Sequence, residues 1–140
     1  MSTIENSVMA ATAEARVREF YDLLVQGRGD DVARFVESNF AEDATLSRPE
    51  SLPGGGSLTG AKSMRKFMRA AASGVAGLAL RSVHQSRSSN EVNVFAEVAV
   101  TLGGTATTAI EWWTFKAPGV TSLRAYYWDT AAILRAFPTA

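Results

Sequence analysis

Apolar positions follow a helical period in the first half of the chain and a two-residue period in the second. From about Thr12 to Gln26, Val17, Phe20, Tyr21, Leu24 and Val25 recur at helical spacing. Gly27-Arg28-Gly29 ends that helix, and Asp30 or Asp31 is the expected N-cap of the next, whose apolar face is Val32, Phe35 and Val36. A short strand follows near Thr45–Ser47. Residues 49–60, with two prolines and four glycines, read as a flap or turn. In the third helix Met64, Phe67, Met68, Ala71, Ala72 and Val75 repeat at i, i+3, i+4, with Lys62, Arg65, Lys66 and Arg69 on the opposite face. Four cations on one helix face read either as an anion patch or as a solvated surface.

Beyond Gly74–Gly77 the period becomes two. Leu78–Ser88 is a predicted strand, and Val92, Val94, Ala96, Val98 and Val100 alternate with more polar neighbours in a second. Gly103-Gly104 marks a hairpin. Thr105–Lys116 and Val120–Thr130, divided at Ala117-Pro118-Gly119, complete an antiparallel meander. The expectation is one α+β domain spanning residues 1–140, with residues 1–10 a flexible lead-in and three N-terminal helices packed on a curved, mostly antiparallel sheet.

Composition narrows the function classes. At 140 residues, with 46% hydrophobic and 20% charged side chains, the chain suits one globular domain with a good core. Lys plus Arg and Asp plus Glu stand at 14 each, so no net field recruits nucleic acid or an anionic membrane. With no cysteine, disulfides and thiolate catalysis are excluded, and with one histidine a His-rich metal site cannot be built. No spacing supports an all-carboxylate metal site. The glycine-rich loop matches neither dinucleotide nor P-loop spacing, so no cofactor is called for. Residues 1–7 lack a basic n-region and an apolar h-region, and no apolar run approaches the roughly 18 residues of a membrane span. A cytoplasmic location is expected.

Candidate chemistry concentrates in Glu111–Asp129. All three tryptophans lie here, as do two of the three tyrosines. Alternation places Glu111, Trp113 and Phe115 on one strand face, and Leu123, Ala125, Tyr127 and Asp129 on one face of the next. Carboxyls in an apolar wall are where desolvation moves a pKa toward neutrality, which suits acid/base work. Asp129 reads as a proton-transferring group or, alternatively, as a residue capping a helix at Thr130. Glu111 reads as an oxyanion-binding acid or as one half of a bridge to Arg48 or Arg124. Arg48 either polarises a carbonyl or sits at a rim. Tyr21 is either a hydrogen-bonding site residue or core. His84, flanked at period two by Ser82 and Ser86, lines a pocket or faces solvent. Trp113 is expected inward and Trp112 outward; Trp113, Tyr127 and Phe67 complete the expected substrate-binding wall.

The order of elements resembles the cone of the ketosteroid-isomerase-like, nuclear-transport-factor-like superfamily. Gly29-Asp-Asp-Val-Ala-Arg-Phe, Phe40-Ala-Glu-Asp-Ala-Thr45, Leu58-Thr-Gly-Ala-Lys-Ser-Met-Arg-Lys-Phe67 and Val120-Thr-Ser-Leu-Arg-Ala-Tyr-Tyr-Trp-Asp129 carry the resemblance. The strand ending in Trp-Asp is most similar to the SnoaL-like polyketide cyclase branch. By that resemblance Glu111 matches the acidic oxyanion-hole position of steroid isomerases, Tyr21 their hydrogen-bonding tyrosine, and Asp129 the acid/base Asp of SnoaL-like cyclases. Arg48, in Thr45-Leu-Ser-Arg-Pro49, stands where steroid isomerases carry their base. The implied protein is a homodimeric, cofactor-free acid/base enzyme acting on a hydrophobic, ring-bearing carbonyl compound. An epoxide hydrolase of the same fold and a non-catalytic binding or assembly module are the alternatives.

Overall fold

The computed structural model describes residues 3–136 except 53, 75, 76, 103 and 118. Helices α1 (Thr3–Val25) and α2 (Gly29–Asn39) are followed by strands β1 (Phe40–Arg48) and β2 (Gly56–Thr59), then helix α3 (Ala61–Gly74). Strands β3 (Leu78–Arg87), β4 (Val92–Leu102), β5 (Thr105–Lys116) and β6 (Gly119–Tyr127) come next, and helix α4 (Thr130–Ala136) ends the described chain. The sheet has six strands in the order β2-β1-β6-β5-β4-β3, antiparallel throughout except for the parallel β1–β6 pair. The three-helix, curved-sheet α+β cone expected from the sequence is the architecture observed. Among the described residues no helix is long and apolar enough to cross a membrane.

Several local expectations are corrected. Helix α1 begins at Thr3, so residues 3–10 are its first turns rather than a loose lead-in; Met1 and Ser2 lie outside the described residues. The alanine-rich stretch from Ala10 favours the helix, and the small side chains of Ala10 and Ala13 are buried. Asp30 and Asp31 fall in the first turn of α2, not at its cap, where they complement the helix dipole. Residues Gly56–Thr59 of the expected loop pair with β1, which runs well beyond Thr45–Ser47. Val75, Gly103 and Pro118 lie outside the described residues, but Leu102 faces Thr105 and Lys116 faces Gly119, so both predicted hairpins close. Helix α4 adds a fourth helix, at the place where the sequence offered Asp129 as a cap before Thr130.

Cross-strand register explains where the interior is full and where it is hollow. One row across β4, β5 and β6 is Val94, Trp113 and Leu123, all fully buried. Phe20 of α1 and Phe40 of β1 meet the Trp113 ring edge-on, with centroids 4.9 and 5.7 Å away. The next row is Ala96, Glu111 and Ala125, and the one after that Val98, Ala109 and Tyr127. Three alanines thus surround Glu111, and helix α1 does not fill the space they leave. A register shift between Leu80 and Ser82 interrupts the β3–β4 ladder beside these rows, the kind of irregularity that bends a sheet.

Candidate functional site

The space above the Glu111 row is a cavity of about 410 Å³. Its walls come from Phe20 and Leu24 of α1, Leu46 and Arg48 of β1, and Phe67 and Met68 of α3. Val98 and Val100 of β4, Leu123 and Tyr127 of β6, and Ile133 of α4 complete the enclosure. The size is that of a small-molecule site, and the lining is mostly apolar with a few convergent polar groups.

Those polar groups form a connected set. Tyr21 Oη donates a 2.5 Å hydrogen bond to Glu111 Oε1, and Trp113 Nε1 donates to Tyr21 Oη at 3.1 Å. Tyr21 and Trp113 are buried behind the cavity floor, so the chain from indole to phenol to carboxyl fixes one Glu111 oxygen from below. On the other side, Arg48 lays its guanidinium over the Phe67 ring, 5.3 Å from the centroid, and is close enough for its charge to act on the Tyr127 hydroxyl. Alternation along β1 brings Arg48 to the face of Leu46, which is inward.

Burial sets the protonation states. Desolvation raises the Glu111 pKa, against the opposing pull of the Tyr21 hydrogen bond and the Arg48 charge. Tyr21 is raised well above the ordinary phenol value, first by burial and then by the Glu111 charge. Tyr127 is raised by burial and by Glu111, while the charge of Arg48 pulls it back. Both phenols therefore keep their protons at neutral pH, which leaves Glu111 as the group able to exchange one. A cavity that holds a proton donor or acceptor beside a fixed cation has the components of acid/base catalysis.

Glu111, Tyr21, Arg48, Tyr127 and Phe67 come together as a group. Arg124 does not reach Glu111: it lies on the outer sheet face, its guanidinium 5.0 Å from the Trp112 ring centroid. Three expected site residues sit elsewhere. Strand β6 ends at Tyr127, so the alternation assumed for Asp129 stops two residues short of it. Asp129 Oδ1 instead accepts a 3.1 Å hydrogen bond from the Ala132 amide, and Oδ2 lies 4.0 Å from Arg135: it caps α4 and does not line the cavity. Trp113 is inward but wholly enclosed, so it supports Tyr21 rather than stacking on a ligand. His84 pairs across the ladder with Phe95, which shares the outer face with Trp112, and is exposed. Ile133 was not anticipated. The signal for it was present in Asp129-Thr-Ala-Ala-Ile, a cap followed by helix formers and an apolar anchor.

Cations of α3 do not enter the cavity. Arg65 and Arg69 reach Glu37 and Asp30 of α2, each at 3.3 Å, and with Lys62, Lys66 and Arg34 they line a separate polar groove of about 340 Å³. Among the described residues no three His, Cys, Asp or Glu side chains gather in a metal-binding cluster.

The sequence matches no protein-family model and, at a stringent significance threshold, no curated protein. Its fold is shared with solved structures. An NTF2-like protein from Burkholderia xenovorans is 24% identical and aligns over 99% of both chains with a TM-score of 0.64. An NTF2-like protein of unknown function from Burkholderia pseudomallei is 20% identical, covering 91% of this chain and 98% of its own at a TM-score of 0.67. Another from Cytophaga hutchinsonii, 16% identical, covers 82% and 88% at 0.57. The chain has the NTF2-like α+β fold, shared with ketosteroid isomerases and SnoaL-like cyclases.

Proposed function

We propose that the chain is a cofactor-free acid/base enzyme that moves a proton on a hydrophobic, ring-bearing carbonyl compound, as isomerases and SnoaL-like cyclases do. The observation that carries this reading is Glu111, a carboxyl in an apolar cavity, hydrogen-bonded from behind by a buried tyrosine and faced by Arg48 and Tyr127. In its ionised form Glu111 takes a proton from the carbon beside the carbonyl. Arg48 and the Tyr127 hydroxyl hydrogen-bond the carbonyl oxygen as it gains enolate charge. Returning the proton from Glu111 to a different carbon completes an isomerisation; in a cyclisation the enolate carbon attacks a second carbonyl, whose π pair moves to its oxygen, and that oxygen takes the proton back from Glu111. Tyr21 holds the carboxyl in place. Epoxide opening by two acids around a water gains no support, because Glu111 is the one carboxylic acid among the described lining residues.

The partner in this reading is a second copy. Tyr126 and Trp128 are 50% and 87% exposed, and Ile110 faces Tyr126 across the strands, giving the outer sheet face the aromatic surface of an interface.

Hydrogen–deuterium exchange at the carbon beside the carbonyl of ring ketones, followed by proton NMR, tests the chemistry without knowledge of the natural substrate. Wild-type protein is expected to accelerate exchange, and Glu111→Gln to lose about 10²- to 10⁴-fold of that acceleration. Ketones that bind without exchanging, or a Glu111→Gln variant as active as wild type, would leave a ligand-binding module in place of an enzyme.

A further inference from the structure

Helix α3 turns Phe67 and Met68 to the cavity and four cations to the groove it shares with α2, and it contains no acidic residue. Lys62 stands three and four residues before Arg65 and Lys66, and Arg69 stands four and three after them, the spacings at which like charges repel. Lys62 also occupies the first turn, where the helix dipole disfavours a cation, while the last turn holds none. A face that is merely solvated is better served by interleaved signs. Helix α2 does not cancel this charge. Its Arg34 joins the groove of about 340 Å³ as a fifth cation, against two carboxylates, Asp30 and Glu37. The lining therefore carries an excess of three positive charges in a chain whose formal charges cancel. Asp31 at the rim pairs with both Arg34 and Arg28, and counting that pair leaves the excess unchanged. Lys62 and Lys66 form no ion pair among the described residues. The space stays open because Ala33, small and buried, is its α2 wall. Gly29 fixes the close approach of the two helices: a Cβ there would lie 3.2 Å from the Arg69 carbonyl oxygen.

We propose that this groove is a binding site for a short chain of linked phosphates, either free or carried as an ester. Size and charge density select that class. The stripe from Lys62 to Arg69 is roughly 10 Å long at 1.5 Å per residue, which suits a compact ion. A singly charged carboxylate would satisfy one or two of the cations, whereas linked phosphates present several oxyanions to cations arriving from both helices. The lysines meet them as point charges and the guanidiniums as paired donors. Asp30 and Glu37 do not block such a ligand, because ion pairs as exposed as theirs with Arg69 and Arg65 contribute little and exchange readily. Once bound, the anion turns the repulsion along α3 into bridging. It also places negative charge beside the first turn of α3, where the dipole favours it. The groove is on the far side of α3 from the acid/base cavity, so the two sites stand or fall separately.

Calorimetric titration of the full chain with inorganic triphosphate, at low ionic strength and without divalent metal, tests this. One ion per chain is expected, bound at least about tenfold more tightly than orthophosphate and weakening as salt is raised. A parallel titration with ATP separates the sources: tighter binding than triphosphate identifies an ester, weaker binding the free ion. Lys62→Gln and Lys66→Gln together should lower triphosphate affinity about 10- to 100-fold. Lys116→Gln, which removes a cation at the end of β5, should leave it within about twofold. Glutamine preserves helix propensity and the double substitution relieves repulsion, so the thermal midpoint of the ligand-free variant should match or exceed that of wild type. Triphosphate should then raise the wild-type midpoint and leave that of the double variant where it is. No binding of triphosphate, binding no tighter than orthophosphate, or binding that survives the double substitution overturns the proposal. A ligand-free midpoint that falls by several degrees in the double variant would mark the lysines as structural and overturn it as well. Binding of oligouridylate without binding of triphosphate would assign the face to a nucleic acid instead.

Discussion

Trp113 and Glu111 lie two residues apart on the same face of β5, yet they occupy opposite kinds of environment. Around Trp113 the facing positions are Val94 and Leu123, with Phe20 and Phe40 at the ring edges, and the space is full. Around Glu111 the facing positions are Ala96 and Ala125, and the space is open. One hydrogen-bonded tyrosine, Tyr21, links the two. The filled end provides rigidity, and the hollow end uses it: a carboxyl can be held dry and oriented only because the residues beneath it cannot move.

Breaking the filled end should have the largest effect on stability. Trp113→Ala removes a wholly buried indole and the donor to Tyr21, and is expected to cost about 3–5 kcal/mol, read as a lowered denaturant midpoint. Trp113→Phe should cost less while still releasing Tyr21. If Trp113→Ala costs under about 1 kcal/mol, the filled row is not the anchor described here.

Filling the hollow end should do the reverse. Ala109 is buried in the row above Glu111 and lines the cavity. Ala109→Leu should place its side chain in empty space, weakening binding of a two-ring ligand at least about tenfold, while stability shifts by less than about 1.5 kcal/mol. A large stability loss with unchanged binding would mean that the space is not the ligand's.

A smaller effect separates the two ends by pH. Burial holds the folded-state pKa of Glu111 above its unfolded value. The folded protein therefore binds that proton more tightly than the unfolded chain does. The resulting stability is complete below the unfolded pKa, about 4.3, and is lost as pH rises through the raised folded value. Asp31, lowered chiefly by its hydrogen bond from Arg34, has the opposite sign: its contribution is lost as pH falls. Subtracting the Glu111→Gln profile from wild type cancels Asp31 and isolates Glu111. The difference in urea midpoint should move against wild type as pH rises from about 4 and then level off; a difference that is flat with pH contradicts a desolvated carboxyl.

How much of this was readable from sequence follows from how local each feature is. The inward register of Glu111, Trp113 and Tyr127 depends on strand alternation and on turns at glycine, and the chain states both plainly. Whether an inward residue plugs the core or lines a cavity depends on its neighbours on two other strands. Trp113 and Glu111 have the same periodicity, and only the pairing of Val94 and Leu123 against Ala96 and Ala125 tells them apart. Strand β2 was hidden because glycine and serine carry no strand pattern, although pairing with β1 needs only their backbone. The position of Arg48 beside Phe67 and Tyr127 joins three elements distant in sequence, and no spacing along the chain contains it.

The smallest predicted effect concerns the residue that looked most catalytic. Asp129 was legible as an acid on the face of Tyr127 only if β6 continued past Tyr127, and it does not: Trp128 turns out, 87% exposed, and the helix begins at Thr130. What remains for Asp129 is the cap on the Ala132 amide, a role that asparagine fills about as well as aspartate. Asp129→Asn should therefore change ketone exchange by less than about twofold and stability by only a few tenths of a kcal/mol, whereas Asp129→Ala should cost about 0.5–2 kcal/mol through α4. Because α4 places Ile133 over the cavity, that loosening should appear as faster ligand release in Asp129→Ala, with the Glu111-dependent chemistry retained. A large rate loss in Asp129→Asn with ligand affinity unchanged would return the proton-transferring role to Asp129. It would also mean that the end of β6 rearranges when ligand binds, because a carboxylate tied to the first turn of α4 has no path to the cavity floor.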